Sequence, residues 1–557
     1  MAVIKTIRKT AIADLTAGIT TALVTIPDGM ASAILAGVSP ISGLYALMVG
    51  TPIAALTLSS QFMYVANTGA LAVSVGDALG GYSGDLRLEA LVVLTVLVGI
   101  FQLVLGILKL GWITNYVSNS VLTGFMTGIA FLIILGQVDE FTGAHSEYGN
   151  KILATFDIIL HPSGIDWPTI AIGLVTLVLI LLFNRTRFSK FSMVLGMIGA
   201  SALVQILNLT SVELIQDIAE IPKGFPTPAL PGLSLILGLI GPAMAVGLIG
   251  LIQAAGVSKS VPNTDGNFPD ISRDFAGQGI ANVSAGLFQG MPIGGTMGET
   301  SVNLSAGAKS RLANIFSGLL ITVIVLLFGI LIQLVAMPTI AILLIVAGFE
   351  SIKFDQIEDV RDTGPGPRWT MIVTFVATMI LTIQVAVAVG VVLSILIYLL
   401  RSAADLRLVE LVKQDDGSIL EQPAPETLRS NSITVLRLYG STYFAAAANL
   451  ADALPSHQDS ERVVVILQLR NQSEVGSTFI RVVERYAQQL QETGGKLMLS
   501  GIHTRVLEQL EKTETTESIN ADDIFLAEDL LGSSTVRALD AAQKWMDDET
   551  PEVVDEV

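Results

Sequence analysis

Two short stretches of the chain carry residue types suited to holding an anion. They are Asn67-Thr-Gly-Ala-Leu-Ala-Val-Ser-Val-Gly-Asp77 and Gly294-Gly-Thr-Met-Gly-Glu-Thr-Ser-Val-Asn-Leu-Ser-Ala-Gly307. Both are too short and polar to cross a bilayer, yet both lie among apolar runs that are long enough. Irregular backbone at membrane depth is tolerated only where it is covered by protein or lines a cavity. Each stretch is therefore expected to form a half-helix that starts near the midplane. The first N–H groups of a helix lack an intrahelical partner, and its N-terminus carries about half a positive charge. Two such ends facing one pocket attract an anion with no Lys or Arg between them. On this reading Thr68 and Glu299 line the same pocket. The alternative is a pair of re-entrant loops that only pack small residues.

The elements that must position these stretches follow from composition. The 557 residues are 51% hydrophobic and only 14% charged, with a mean hydropathy of +0.66. Disorder needs low hydrophobicity, and so few polar residues cannot cover so large a soluble core. A polytopic membrane protein remains. Clear apolar runs cover 12–36, 41–58, 88–108, 117–137, 168–184, 190–207, 233–257, 312–336 and 370–400; weaker ones cover 63–80, 276–291, 296–307 and 338–349. The run at 370–400 is too long for one ordinary span, and counting it as two gives about 14 elements. With seven elements per half, each polar stretch is third in its half. Paired, Gly-interrupted segments at matching positions point to an inverted-repeat transporter.

Charge sets the orientation and divides the chain. Lys5, Arg8 and Lys9 precede the first run, no small-residue cleavage site follows it, and Arg185, Arg187 and Lys190 crowd one loop. The positive-inside rule places these segments and the residues after Leu400 in the cytoplasm, so both termini lie inside. The net charge is −18, and residues 401–557 hold 27 acidic against 14 basic side chains. Such a tail is a poor partner for nucleic acid or anionic lipid. The absence of cysteine excludes disulfides and thiol chemistry, and four histidines, none before His145, argue against a histidine metal cluster.

The tail reads as a small α/β domain. Strands are expected at 432–438, 462–469 and 496–500, and helices at 476–490, 504–511 and 532–546, with Ser477 or Thr478 near one N-cap. The domain plan is a transmembrane region at 1–400, a linker at 401–430, the α/β domain at 431–548 and an acidic end at 549–557.

Four stretches then carry a resemblance. They are Ala13-Asp-Leu-Thr-Ala-Gly-Ile-Thr20 with Ile26-Pro-Asp-Gly-Met-Ala31 and Ala36-Gly-Val-Ser-Pro-Ile-Ser-Gly-Leu-Tyr45; Ser120-Val-Leu-Thr-Gly-Phe-Met-Thr-Gly-Ile-Ala130; Gly277-Gln-Gly-Ile-Ala-Asn282; and Met291-Pro with Ser301-Val-Asn-Leu-Ser-Ala-Gly307. Together they resemble the sulfate permease (SulP) family, relatives of the animal solute carrier 26 anion transporters, and the tail resembles that family's STAS domain. The resemblance implies a polytopic α-helical 7+7 inverted repeat with core and gate domains. It implies elevator-type transport of sulfate, bicarbonate or a dicarboxylate in a bacterial-type inner membrane, a homodimer, and no enzymatic activity. Carried over by position, the family's site residues fall at Asp28 and Ser32 in helix 1 and near Thr68, Gly69, Ala70 and Leu71 in helix 3. They fall at Gln253 in helix 8, and at Met297, Gly298, Glu299, Thr300 and Ser301 in helix 10.

The chain departs from the family at this site. Many members have Gln at Asp28, Ser-Arg at Gly298-Glu299 and Glu at Gln253. The site has thus lost an arginine and holds two unusual carboxylates. A carboxylate at membrane depth costs at least about 2.5–3.5 kcal/mol unless paired, protonated or capped by a cation. Asp28 and Glu299 are therefore expected to bind Na⁺ or H⁺ as the coupling ion, with no other cofactor or metal. The alternative is that they stay hydrated in a vestibule. Two rival functions remain: a nucleobase-type permease, since Thr296-Met-Gly-Glu-Thr300 resembles that group's helix 10 motif, and an uncoupled anion channel or exchanger. In the tail, Gln468 and Gly476-Ser477-Thr478 stand where STAS domains often have acids. Ser477 is a phosphorylation candidate at a helix start, and the domain a docking place for a cytoplasmic regulator.

Overall fold

The computed structural model describes residues 2–548 apart from 145, 149, 219–223, 458–459 and 514–517, so the expected acidic end at 549–557 lies outside the described residues. The chain forms two compact units, Met1–Ser394 and Ile395–Val557.

The first unit begins with α1 (Ala2–Leu35), α2 (Pro40–Thr57), β1 (Tyr64–Ala66) and α3 (Gly69–Ala78). Next come α4 (Asp85–Ile107), α5 (Asn119–Leu135), α6 (Trp167–Asn184) and α7 (Ser192–Leu207). The same order then returns: α8 (Ile236–Ser260), α9 (Ile271–Leu287), β2 (Gly294–Thr296) and α10 (Met297–Ser305). α11 (Leu312–Gln333), α12 (Met337–Ser351) and α13 (Pro365–Ile380) follow, and α14 (Ile383–Ala404) runs from the first unit into the second. The apolar run at 370–400 is indeed two helices, broken between Ile380 and Ile383. Among the described residues, nine helices are long and apolar enough to cross a membrane.

The repeated order has a physical signature at its centre. β1 and β2 pair antiparallel, Tyr64 with Thr296, Val65 with Gly295 and Ala66 with Gly294. Each three-residue strand leads into a short helix, so the two half-helices start on either side of one strand crossing. Three residues of backbone pairing cannot stand alone. Buried amides on α9 hold it. Gln278 Oε1 accepts from Gly295 N–H at 3.3 Å, and Asn282 bonds both the N–H and the C=O of Ile293 at 2.8 and 2.9 Å. Asn282 also donates to Gln102 of α4 at 2.8 Å. α4 and α9 approach backbone to backbone: a Cβ on Gly99 would lie 2.6 Å from the Gly279 carbonyl. The large exposed side chains of α6 and α11, such as Leu174, Val178, Leu181, Leu319, Leu327 and Ile330, are an apolar surface fit for lipid.

In the second unit a six-stranded sheet runs in the order β4-β3-β5-β6-β7-β8. The strands are β3 (Arg407–Lys413), β4 (Ile419–Pro423), β5 (Ile433–Tyr439), β6 (Val464–Gln468), β7 (Lys496–Ile502) and β8 (Ile524–Leu526). β5 to β8 are parallel, whereas β3 pairs antiparallel with both neighbours. The expected strands and helices appear, joined by a helix at Phe444–Ala453. Residues 401–430, expected as a linker, instead supply β3 and β4. Leu408, Glu410 and Val412 alternate with Arg407, Val409 and Leu411, and Asp416-Gly417 makes the hairpin turn with Gly417 at φ +84°. The helix Ser477–Glu492 is capped by Gly476 rather than by a hydroxyl, and Ser477 is its exposed first residue.

Candidate anion-binding site

Threonines start both half-helices. Thr68 Oγ1 accepts from Leu71 N–H at 3.1 Å and donates to Gln253 Oε1 of α8 at 3.1 Å. Thr296 Oγ1 accepts from Glu299 N–H at 3.3 Å and donates to the Glu299 carboxylate. In each case a hydroxyl satisfies the third N–H of the helix, which is what an N-cap does. Among the described residues, no hydrogen bond is made by the N–H groups of Gly69, Ala70, Met297 or Gly298. Those four donors are what two opposed helix ends offer an anion. A Cβ on Gly298 would meet nothing within 4 Å, so the mouth of α10 is open.

Side chains from α1 and α8 complete the site. Gln253 Oε1 is fixed by Thr68 and lies 3.6 Å from where a Cβ of Gly294 would stand, beside the strand crossing. Its amide nitrogen makes no hydrogen bond among the described residues. On α1, Asp28 follows Pro27, which has no N–H to give to the Leu23 carbonyl. The Asp28 and Glu299 carboxyl groups face each other at hydrogen-bonding range. Asp28, Thr68, Gln253 and Glu299 thus surround the β1–β2 crossing, drawn from four helices or their caps.

The other expected residues divide. Ala70 and Leu71 are buried, so they contribute backbone rather than side chains. The Thr300 hydroxyl accepts from Tyr64 N–H at 2.9 Å and donates to the Thr296 carbonyl, tying α10 to β1. Ser301 is exposed and donates to Met297 O at 2.7 Å, back along its own helix. Ser32 is fully buried with its hydroxyl unpartnered.

Three residues escaped the sequence reading. Thr296 is one, although Thr296-Met-Gly-Glu299 has the Thr-x-x-Glu spacing of a helix N-terminus. Asn67, fully buried with neither amide atom bonded, is another. Tyr64 is the third: its hydroxyl meets Ser317 Oγ at 2.6 Å and its N–H meets Thr300. Only the paired strands reveal the last two.

Similarity to known proteins fits this geometry. The profile of the sulfate permease family matches residues 12–374, and that of the STAS domain matches 424–530. The chain belongs to the sulfate permease family. A probable sulfate transporter 4.2 of Arabidopsis thaliana is 26% identical over 92% of this chain and 79% of its own length. A putative sulfate transporter YvdB of Bacillus subtilis is 24% identical over 92% of the chain and 95% of its own. The fold matches murine solute carrier 26 family member A9 in an inward-facing state, with TM-score 0.81, 19% identity, and 96% and 91% of the two chains covered. It also matches the transmembrane domain of a cyanobacterium bicarbonate transporter, BicA, with TM-score 0.60, 22% identity, and 68% and 96% covered. This sulfate permease family member is thus a multi-pass membrane anion transporter with a STAS domain, and not an enzyme.

Proposed function

We propose that the protein is a secondary active transporter of a small oxyanion, sulfate or bicarbonate, driven by a monovalent cation. The observation that carries this reading is the opposed pair of threonine-capped helix ends with unused N–H donors, beside two carboxylates in mutual contact. Helix ends supply a delocalised positive field that suits a compact anion. Unpaired carboxylates beside it would repel that anion by about 4 kcal/mol per charge at ~4 Å and an effective dielectric of 20. A bound cation removes the repulsion, so cation and anion favour each other's binding, and that mutual dependence is coupling. The names of the relatives, which include sulfate transporters and a bicarbonate transporter, support the substrate class.

Alternating access is of the elevator type in this reading: the body that holds the two half-helices slides against the rest and carries the site across the membrane. Both termini face the cytoplasm of a bacterial-type inner membrane, the protein is a homodimer, and the STAS domain binds a cytoplasmic regulator, with Ser477 as its phosphorylation point. The nucleobase reading is less favoured, because Glu299 is engaged by Thr296 and Asp28 rather than free to accept ring N–H groups.

The test is uptake of radiolabelled sulfate and bicarbonate into proteoliposomes, with and without Na⁺ and pH gradients. Saturable accumulation that requires one of the gradients is expected. Flux that only dissipates the anion's own gradient would identify a channel or exchanger instead.

A further inference from the structure

The proposed coupling leaves its ion unnamed between Na⁺ and H⁺. The buried surroundings of Asp28 distinguish them. Ser32 is one helical turn beyond Asp28 on α1, so the two side chains share a face. The Ser32 side chain is fully buried and its hydroxyl has no partner. Asn67, between β1 and α3, is likewise fully buried with both amide atoms unpartnered. Its Oδ1 lies 3.4 Å from where a Cβ of Gly29, the residue after Asp28, would stand. Asn67 Oδ1 therefore stands beside the turn of α1 that runs from Asp28 to Ser32, and the Asp28 carboxyl already meets Glu299.

Buried polar groups are nearly always satisfied, and each exception calls for a cause such as an ion. A proton shared between Asp28 and Glu299 would serve the two carboxyls and leave Asn67 and Ser32 as they are. A hard monovalent cation does more: carboxylate, amide and hydroxyl oxygens are the ligands such cations take. Its charge offsets the carboxylates at the same time.

We infer that Asp28, Ser32, Asn67 and Glu299 form a Na⁺ site between α1, the start of α3 and the start of α10. The site lies next to Thr68 and Gly69, so an occupant reaches the anion pocket through the backbone of residues 67–69. Asn67 precedes the Thr68 cap, and a cation on its Oδ1 fixes the orientation of the cap that holds Gln253. This inference rests on the transport reading for its purpose, but not for its measurement.

The experiment is binding of ²²Na⁺ to the purified full-length protein in nanodiscs, with no sulfate or bicarbonate present. The wild type should bind ²²Na⁺ saturably, with displacement by unlabelled Na⁺ and not by equal K⁺. Asn67→Ala and Ser32→Ala should each weaken binding at least tenfold in monodisperse protein. Asn67→Asp, which keeps an oxygen at the same place, should bind at least as tightly as the wild type and guards against misfolding of the alanine variants. Absence of saturable binding at pH 6 and pH 8 overturns the inference and leaves the proton as the coupling ion. Unchanged affinity in both alanine variants overturns it as well. Exchange of labelled sulfate or bicarbonate with equal Na⁺ and equal pH on both sides of the vesicle reports on the anion site separately. Exchange without Na⁺ binding refutes only the cation site, whereas Na⁺ binding without exchange or uptake of either anion refutes only the substrate assignment.

Discussion

Glu299→Gln is the sharpest perturbation of the coupling scheme, because it changes charge with little change of shape. The new side chain keeps an oxygen that can accept from the Thr296 hydroxyl, so the cap of α10 survives. What disappears is the charge that Glu299 brings to its contact with Asp28. One unit charge at ~4 Å contributes about 4 kcal/mol at an effective dielectric of 20. At about 1.4 kcal/mol per tenfold change, the half-saturating cation concentration should rise by roughly two to three orders of magnitude. The same loss relieves repulsion of the anion, so anion exchange without a gradient should persist. The assay is initial-rate uptake into proteoliposomes across a Na⁺ titration, paired with counterflow of labelled anion at zero gradient. Glu299→Gln should lose concentrative uptake and keep counterflow. Full gradient-driven accumulation in this variant would refute the reasoning, and Glu299 would then serve only to cap α10.

Asp274 on α9 is buried and accepts from Ser59 N–H at 2.7 Å, Ser59 Oγ at 2.7 Å, Ser60 N–H at 3.0 Å and Ser258 Oγ at 2.7 Å. Asp274→Ala leaves two backbone donors beside a void at about 1–3 kcal/mol each, so the thermal midpoint should fall by several degrees, and an unchanged midpoint would show that water replaces the carboxylate. In the STAS domain, burial pushes the Asp523 carboxyl up even with Lys496 Nζ at 2.9 Å. The folded domain therefore holds that proton more tightly than the unfolded chain does, and this contribution to stability is lost as pH rises from the ordinary carboxylate value through the raised one. Urea unfolding of wild type and Asp523→Asn at stepped acidic pH should show a smaller decline in the variant. Truncation after Ala404 should keep a monodisperse membrane region with unaltered substrate ranking. Truncation after residue 430 should aggregate, because it strands β3 and β4 without β5, to which β3 is paired from Arg407–Tyr439 to Glu410–Leu436. Size-exclusion profiles of the two truncations decide the point.

The sequence made the half-helices visible because their exception to the apolar pattern is itself the signal. Polar, Gly-rich backbone at membrane depth has few structural solutions, so Asn67–Asp77 and Gly294–Gly307 could be placed before any contact was known. The partners of those segments were not legible in the same way. Asn67 reads as one more polar residue in a polar stretch until β1 pairs with β2 and buries it. Gln278 and Asn282 sit on a helix whose sequence looks merely weakly apolar; their role is to hold a strand more than ten residues away. β3 was hidden for the opposite reason. Its pattern is local, but the charged ends Arg407 and Lys413 and the acidic turn after it imitate a solvated linker. Asp-Gly at the turn was the readable cue. Long-range pairing is where single-sequence reasoning runs out, because a three-residue strand has no period of its own. That limit falls on the functional centre of this protein, since the crossing of β1 and β2 is what turns two half-helices far apart in the sequence into one site.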